Sequence, residues 1–187
     1  MSMQICEENR LRVYNLLIGC PRERERAARS EMQYFVGDLI GDEDLKISKT
    51  HVSGLLAART SLDPIEVVHQ LLEFAEENPY QFRFALRITP LEQCVEADLD
   101  AITEAAEELL HKIGEEETYR VTVRRRHTDI EHMDIVSAIA NKVDREVDLD
   151  NADKHVWVEV VGEWAGVSVL NEEEDILSIM TMRDDQY

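Results

Sequence analysis

The sequence predicts an α+β protein built from two consecutive units. Three observations carry this: the first half reads as strand, helix, strand, strand, helix, strand; the composition turns sharply acidic after Pro90; and a strand bearing four arginines then opens a second series of strands and helices. A chain of 187 residues, 44% apolar and 6% aromatic, is long enough to bury a real core and is globular in composition.

Residues 13 to 18, Val13-Tyr14-Asn15-Leu16-Leu17-Ile18, read as a buried strand stopped by Gly19. Pro21 suits a first helical position, and Met32, Phe35, Val36, Leu39 and Ile40 recur at helical spacing, which predicts a helix over 21–40 whose first turns hold Arg22, Arg24, Arg26 and Arg29. Leu45-Lys46-Ile47 and Gly54 to Arg59 read as two strands joined by a short turn. Asp63-Pro64-Ile65-Glu66 is a helix start: Asp63 caps, Pro64 needs no amide partner and Glu66 returns the capping bond, together worth about 1 kcal/mol. That helix buries Val67, Val68, Leu71, Leu72 and Phe74 or Ala75, and stops before Pro79. Phe82 to Ile88 reads as a fourth strand with Arg83 and Arg87 on one face. The order βαββαβ is the ferredoxin-like pattern.

Beyond Pro90 an acidic helix keeps Leu99, Ile102, Ala106, Leu109, Leu110 and Ile113 on one face and ends at Gly114. The arginine strand follows. Thr128 to Glu131 repeats a capping-box pattern before a helix that buries Ile135, Val136, Ile139 and Val143. Val147-Asp148-Leu149 reads as a short strand, and two clean strands, Val156 to Val161 and Trp164 to Leu170, meet at the turn Gly162-Glu163. The segment 172–187, with Glu172-Glu173-Glu174 and Asp184-Asp185, reads as an acidic tail, helical or partly disordered.

The formal net charge of -20 divides into -4 over residues 1–92 and -16 over residues 93–187. Such a chain lacks the broad basic surface that gives indiscriminate nucleic-acid affinity, so any nucleic-acid site must be local and shielded. No apolar run approaches the roughly 20 residues needed to span a bilayer, and Met1-Ser2-Met3-Gln4 lacks the order of a signal peptide, which predicts a soluble, cytoplasmic protein. Cys6, Cys20 and Cys94 are few and far apart, without a Cys-x-x-Cys pair or a histidine at ligand spacing. No metal site or disulfide framework is expected, and Cys20 and Cys94 read as small, partly buried hydrophobes.

The run Tyr119-Arg120-Val121-Thr122-Val123-Arg124-Arg125-Arg126-His127 stands against this negative field. Alternation puts Val121 and Val123 on a buried face, with Arg120, Thr122 and Arg124 on the other, and Arg125 and Arg126 running into a turn. Guanidinium matches phosphate oxygens bidentately and stacks on bases, so RNA is the first partner to consider. A solvated strand end paired with neighbouring acids is the bland alternative. No phosphate-cradling glycine loop, Gly-x-Ser-x-Gly or metal-spaced His/Asp/Glu set marks a catalytic centre. His127 extends the basic turn, His132 starts a helix, and His51 beside Lys49 falls in the first hairpin turn. Trp157 and Trp164 occupy adjacent strands and read as packing residues, so the chain offers no exposed aromatic pair for stacking bases.

The series Val121 to Arg126, Asp134-Ile135-Val136-Ser137-Ala138-Ile139-Ala140, Val147 to Asp153, Val156-Trp157-Val158-Glu159-Val160 and Gly166-Val167-Ser168-Val169 resembles a THUMP domain. More narrowly, it is similar to the stand-alone archaeal and eukaryotic THUMP proteins that assist N4-acetylation of tRNA cytidine. Ala152 stands where that family often has proline. The resemblance implies three segments: a ferredoxin-like domain over 1–91, a THUMP domain over 92–171 and the tail over 172–187. It also implies shape recognition of the tRNA acceptor end, delivered to a separate tRNA acetyltransferase, with no catalysis, cofactor, membrane or DNA partner. The expected contacts are Arg124, Arg125, Arg126, His127, Lys49, Arg83, Arg87 and Arg59. The competing reading is a ferredoxin-like enzyme or sensor with an anion pocket built from Arg22 to Arg29 and Arg59.

Overall fold

The structure, a computed structural model, describes residues 13–184; Met1 to Gln4, Cys6 and Asp185 lie outside the described residues. In chain order the elements are β1 (Leu16–Gly19), α1 (Glu25–Met32, continued by π-helical turns over Gln33–Ile40), β2 (Lys46–Lys49), β3 (Leu55–Arg59), α2 (Pro64–Glu77), β4 (Arg87–Pro90), β5 (Gln93–Glu96), α3 (Leu99–Leu109), β6 (Tyr119–Arg126), α4 (His132–Ala140), β7 (Lys154–Val161), β8 (Trp164–Leu170), α5 (Glu172–Asp175), β9 (Leu177–Ser178) and α6 (Ile179–Asp184). Two sheets form, ordered β2-β3-β1-β4-β9 and β5-β8-β7-β6. All pairs are antiparallel except β6 with β7.

Alternation along the strands assigns both faces of each sheet to an apolar environment. Leu16, Ile18, Leu56, Ala58 and Ile88 join α1 and α2 in one core, and Val156, Val158, Val160, Ala165, Val167 and Val169 join α3 and α4 in another. The residues between them, Leu17, Leu55, Ala57 and Leu91, meet Val161 and Trp164, while Trp157, Leu170 and Ile176 meet Ile65. The two sheets therefore lie back to back, with helices on both outer sides. The linker is clamped rather than loose: Ser168 Oγ donates to Pro90 O at 2.8 Å, and Lys112 Nζ donates to Glu92 Oε1 at 2.6 Å and to Val169 O at 2.8 Å. Leu91 seats against Gly166, where an added Cβ would lie 2.6 Å from Leu91 Cδ1.

Several expectations need correction. The first helix starts at Glu25 rather than Pro21, and the i→i+5 turns after Met32 rotate Leu39 out to solvent. The fourth strand begins at Arg87, not Phe82, because the amides of Arg83, Phe84 and Ala85 donate to the Glu31 carboxylate at 2.8 to 2.9 Å instead of to a sheet neighbour. Asp63 caps α2 as expected, accepting from Ile65 N and Glu66 N, but the Glu66 carboxylate lies 3.8 Å from His69 Nδ1. Glu131, rather than Thr128, is the N-cap of α4 and makes no side-chain cap bond. Val147 retains one isolated bridge to Tyr119, and Val147 and Leu149 are exposed.

The residues after Asn171 are helical over Glu172–Asp175, as one arm of the expectation had it, but they do not remain a tail. They fold: Asn171 Oδ1 accepts from Glu173 N and Glu174 N, β9 pairs with β4, and Leu177 and Ile179 are buried in the core of the first sheet. Solvation of the acids masked the apolar spacing Ile176, Leu177, Ile179 that follows them.

Asp42 joins the end of the first helix to the β3–α2 loop. It is 2% exposed and accepts from Thr60 Oγ1, Ser61 Oγ, Ser61 N and Asp44 N. Burial pushes its pKa up, but the bonds from Ser61, Thr60 and Asp44 outweigh burial and hold it below the usual carboxylate range. Its stabilising contribution is therefore complete above the unfolded value of about 3.9 and is lost as pH falls through the lower folded value. Asp42→Asn should lower stability at pH 7 by about 1–3 kcal/mol. In urea unfolding, the gap between wild type and variant should narrow below about pH 4. Gly166→Ala should cost about 1–3 kcal/mol by overpacking, and the penalty should shrink in a Leu91→Ala background.

Candidate nucleic-acid interface

The parity of β6 sorts its arginines. Val121 and Val123 face the helical core, and Arg125 shares their side, its Nη1 donating to Ile130 O at 2.6 Å. Arg120, Thr122, Arg124 and Arg126 face the first sheet. Arg120 Nη1 donates to Leu149 O at 2.9 Å, and Thr122 Oγ1 lies 2.8 Å from His155 Nδ1. Arg124 and Arg126 enter a cleft of about 500 Å³ between the two sheets. Gly19-Cys20-Pro21 and Val52-Ser53-Gly54 form one wall, and Arg87, Thr89, Glu159 and Met180 complete it. The parallel register that sets Arg124 opposite Glu159 fixes this arrangement.

Two buried groups organise the cleft. Trp157, 1% exposed, lies beneath two guanidinium groups, with Arg87 Cζ and Arg124 Cζ at 5.5 and 5.6 Å from its ring centroid. Each such contact contributes about 0.5–2 kcal/mol. Glu159, also 1% exposed, accepts from Trp157 Nε1 at 2.9 Å and from Arg126 Nη1 at 2.5 Å. Among the residues that line the cleft, one carboxylate thus faces three guanidinium groups, with Glu172 beyond them close enough to act on Arg87. Burial, and then the like charge of Arg124, lower the Arg87 pKa, with Glu159 and Glu172 opposing them, and Arg87 Nε is buried without a hydrogen-bond partner. Arginine stays protonated through such a shift. The cleft therefore carries excess positive charge and suits an anion that can bridge guanidinium forks.

The wall opposite is set by Glu25. Its carboxylate accepts from Gly54 N at 2.7 Å, and Gly54 takes φ +80° where a Cβ would meet Cys20 O at 2.8 Å. Burial, and then the Glu25 charge, push the Cys20 thiol up to about 11, so it is a thiol, not a nucleophilic thiolate, at neutral pH.

The expected contact residues divide accordingly. Arg87, Arg124 and Arg126 come together. Lys49 is exposed on the row Lys49, Leu56, Ile18, Ile88, next to the row that holds Gly19 and Arg87. His127 is exposed just beyond Arg126, with φ 55°. Arg125 points to the helical side, Arg59 lies opposite Lys46 at the other end of the first sheet, and Arg83 lines a separate shallow pocket. α3 packs on the far side of the second sheet, which sets its acids away from the cleft, whereas Glu159 and Glu172 border it. Trp157 and Trp164 are packing residues as expected, Trp164 lying 5.0 Å from the Tyr14 ring. Sequence reading missed Glu159, Trp157 and Glu25 as organisers; the available signal was a glutamate on the second face of a strand already apolar on its first.

Among the described residues no helix is long and apolar enough to cross a membrane, and no group of three or more His, Cys, Asp and Glu side chains is placed to hold a metal ion.

Replacing Glu159 with Gln should destabilise the protein by about 3 kcal/mol, the low end for a broken buried ion pair because Arg126 reaches solvent. Sulfate should stabilise that variant more than it stabilises wild type, as read from thermal unfolding at matched ionic strength.

Residues 96–170 match the THUMP domain family. Over 132 residues the chain is 30% identical to the THUMP domain-containing protein 1 homolog of Drosophila melanogaster, a match covering 65% of this chain and 41% of that relative. The chain thus spans about two-fifths of the length of that curated relative. PH1313 from Pyrococcus horikoshii Ot3 superposes with a TM-score of 0.62 at 18% identity, covering 89% of this chain and 55% of that one. TrmN from Thermus thermophilus gives 0.57 at 18%, with 82% and 44% covered. A 4-thiouridine synthetase solved in complex with RNA and ATP gives 0.53 at 14%, with 89% and 42% covered. These likenesses extend across both sheets, and the second unit carries a THUMP domain.

Proposed function

We propose that this chain is a non-catalytic tRNA-binding protein of the archaeal and eukaryotic adaptor type, which presents the acceptor end of tRNA to a separate cytidine N4-acetyltransferase. The observation that carries this reading is the inter-sheet cleft in which Arg87, Arg124 and Arg126 outnumber Glu159 beside a matched THUMP domain, an RNA-binding module. Phosphates of A-form RNA are reachable where base edges are not, so a compact set of guanidinium groups reads shape rather than sequence. The surrounding negative charge repels RNA that does not engage these few cations, and so favours selective binding over non-specific adhesion.

Arg124→Gln should lower tRNA affinity about tenfold, which is about 1.4 kcal/mol, whereas Arg125→Gln should change it little. Wild-type log affinity should fall with log salt by roughly 0.7–0.9 per phosphate contact, as fluorescence anisotropy would show, and Arg124→Gln should reduce that slope by about one contact. Equal effects of the two substitutions would move the site away from the cleft.

The adaptor role predicts that protein, tRNA and acetyl-coenzyme A yield no N4-acetylcytidine until an acetyltransferase is added. Acetylcytidine formed without that second protein, detected by nucleoside mass spectrometry, would refute it.

A further inference from the structure

A second surface on the first unit has the features of a nucleobase site. Tyr34 and Tyr80 are 49% and 55% exposed and line one shallow pocket of about 380 Å³ with Gln81 and Arg83. The expectation that the chain offers no exposed aromatic pair is corrected here. The two rings come from segments far apart in sequence, the π-helical turns after α1 and the 3₁₀ turn Pro79–Gln81.

The pocket is built, not incidental. Tyr80 is positioned by Arg183, whose Cζ lies 5.3 Å from its ring centroid while its Nη2 donates to Phe82 O at 2.6 Å. Tyr34 rests edge-on against buried Phe35 at 5.3 Å, and Phe35 stacks on Phe82 at 4.1 Å. The acid among the lining residues, Glu31, is occupied by the amides of Arg83, Phe84 and Ala85, which also fixes the backbone that presents the exposed Arg83 side chain.

The surroundings favour nucleic acid over an apolar protein segment. On α1 the spacing i, i+4 places exposed Arg26 and Ser30 in a row that leads to Tyr34, and Arg22, before the helix, lies with its Cγ near Gly54 at the wall of the arginine cleft. Glu25, on the flank of this helix, is bonded to Gly54 N and Ser53 Oγ. Among the exposed charges of residues 22–30, Arg22, Arg24, Arg26 and Arg29 outnumber Glu23, so this stretch is locally basic in a chain of net charge -20.

We propose that the Tyr34–Tyr80 pocket receives an unpaired nucleobase of the bound RNA by stacking, with Arg83 at its rim and the Arg22–Arg26 row carrying the intervening backbone. This rests on the RNA-binding reading above and adds a second, stacking contact to it. Every base has a π-face, so the pocket is tolerant of sequence and selective for unstacked nucleotides.

The test compares a tRNA transcript with a blunt-ended RNA duplex that has no unpaired nucleotide. Tyr34→Leu with Tyr80→Leu should weaken tRNA binding at least tenfold and leave the duplex unaffected, and the matching Phe pair should restore tRNA binding. Ultraviolet cross-linking of wild-type protein to tRNA should map to Tyr34 or Tyr80. Unchanged tRNA affinity in the Leu pair, or an equal loss on both RNAs, overturns the stacking site while leaving the arginine cleft standing. Wild type that binds neither RNA overturns the RNA-binding reading together with this one.

Discussion

The back-to-back contact of the two sheets governs the rest of this molecule. A sheet with one wet face can place any charge on that face. Here both faces of the central strands are enclosed, so every polar group that the register sends into the seam needs a partner there. Glu159 finds Trp157 Nε1 and Arg126, and Ser168 finds Pro90 O and Glu92 N. Apolar plugs around Leu17, Leu91 and Val161 on one side, and Trp157, Leu170 and Ile176 on the other, close the seam. The arginine cleft is what remains between the walls, and its shape is inherited from strand register rather than from a mobile loop.

This origin explains how positive potential persists within so acidic a protein. Surface acids in water are screened within roughly 8 Å at physiological salt, whereas charges in a partly enclosed cleft interact in a lower dielectric. Three guanidinium groups held there dominate their immediate surroundings even though the C-terminal half carries most of the negative charge. Trp157 lets two of them approach each other, because its π-face offers each a compensating negative surface.

Local signals in the sequence reported elements faithfully where a side chain's role was decided by its neighbours along the chain. Asp63-Pro64 starts α2, the alternation from Val156 to Val161 makes β7, and Gly162 at φ 61° turns β7 into β8. Legibility failed where a remote partner intervened. Glu31 takes three amides from residues 83–85 and so delays β4, and the Ile176 to Ile179 spacing acquires meaning only against β4 and the core beneath it. The same rule divides the candidate site. Charge density along Arg124-Arg125-Arg126 was plain, but the strand continues through Arg126 instead of turning after Arg124, which sends Arg125 to the helical side, and the fold that brings Arg87 across is not a property of any continuous stretch.

The return of β9 to the first sheet has a consequence for how the chain is made. Leu177 and Ile179 complete a core whose other members lie between Leu16 and Ile88, so nearly ninety residues separate its last native contacts from the strand they join. During vectorial synthesis the first sheet must wait with the outer edge of β4 uncovered while the whole THUMP segment emerges and folds. Cutting the chain at the end of that segment would leave the N-terminal unit with an open edge and an unfilled core. The two units are distinct in sequence, yet they share one closing step, and neither is finished until the C-terminal elements have docked.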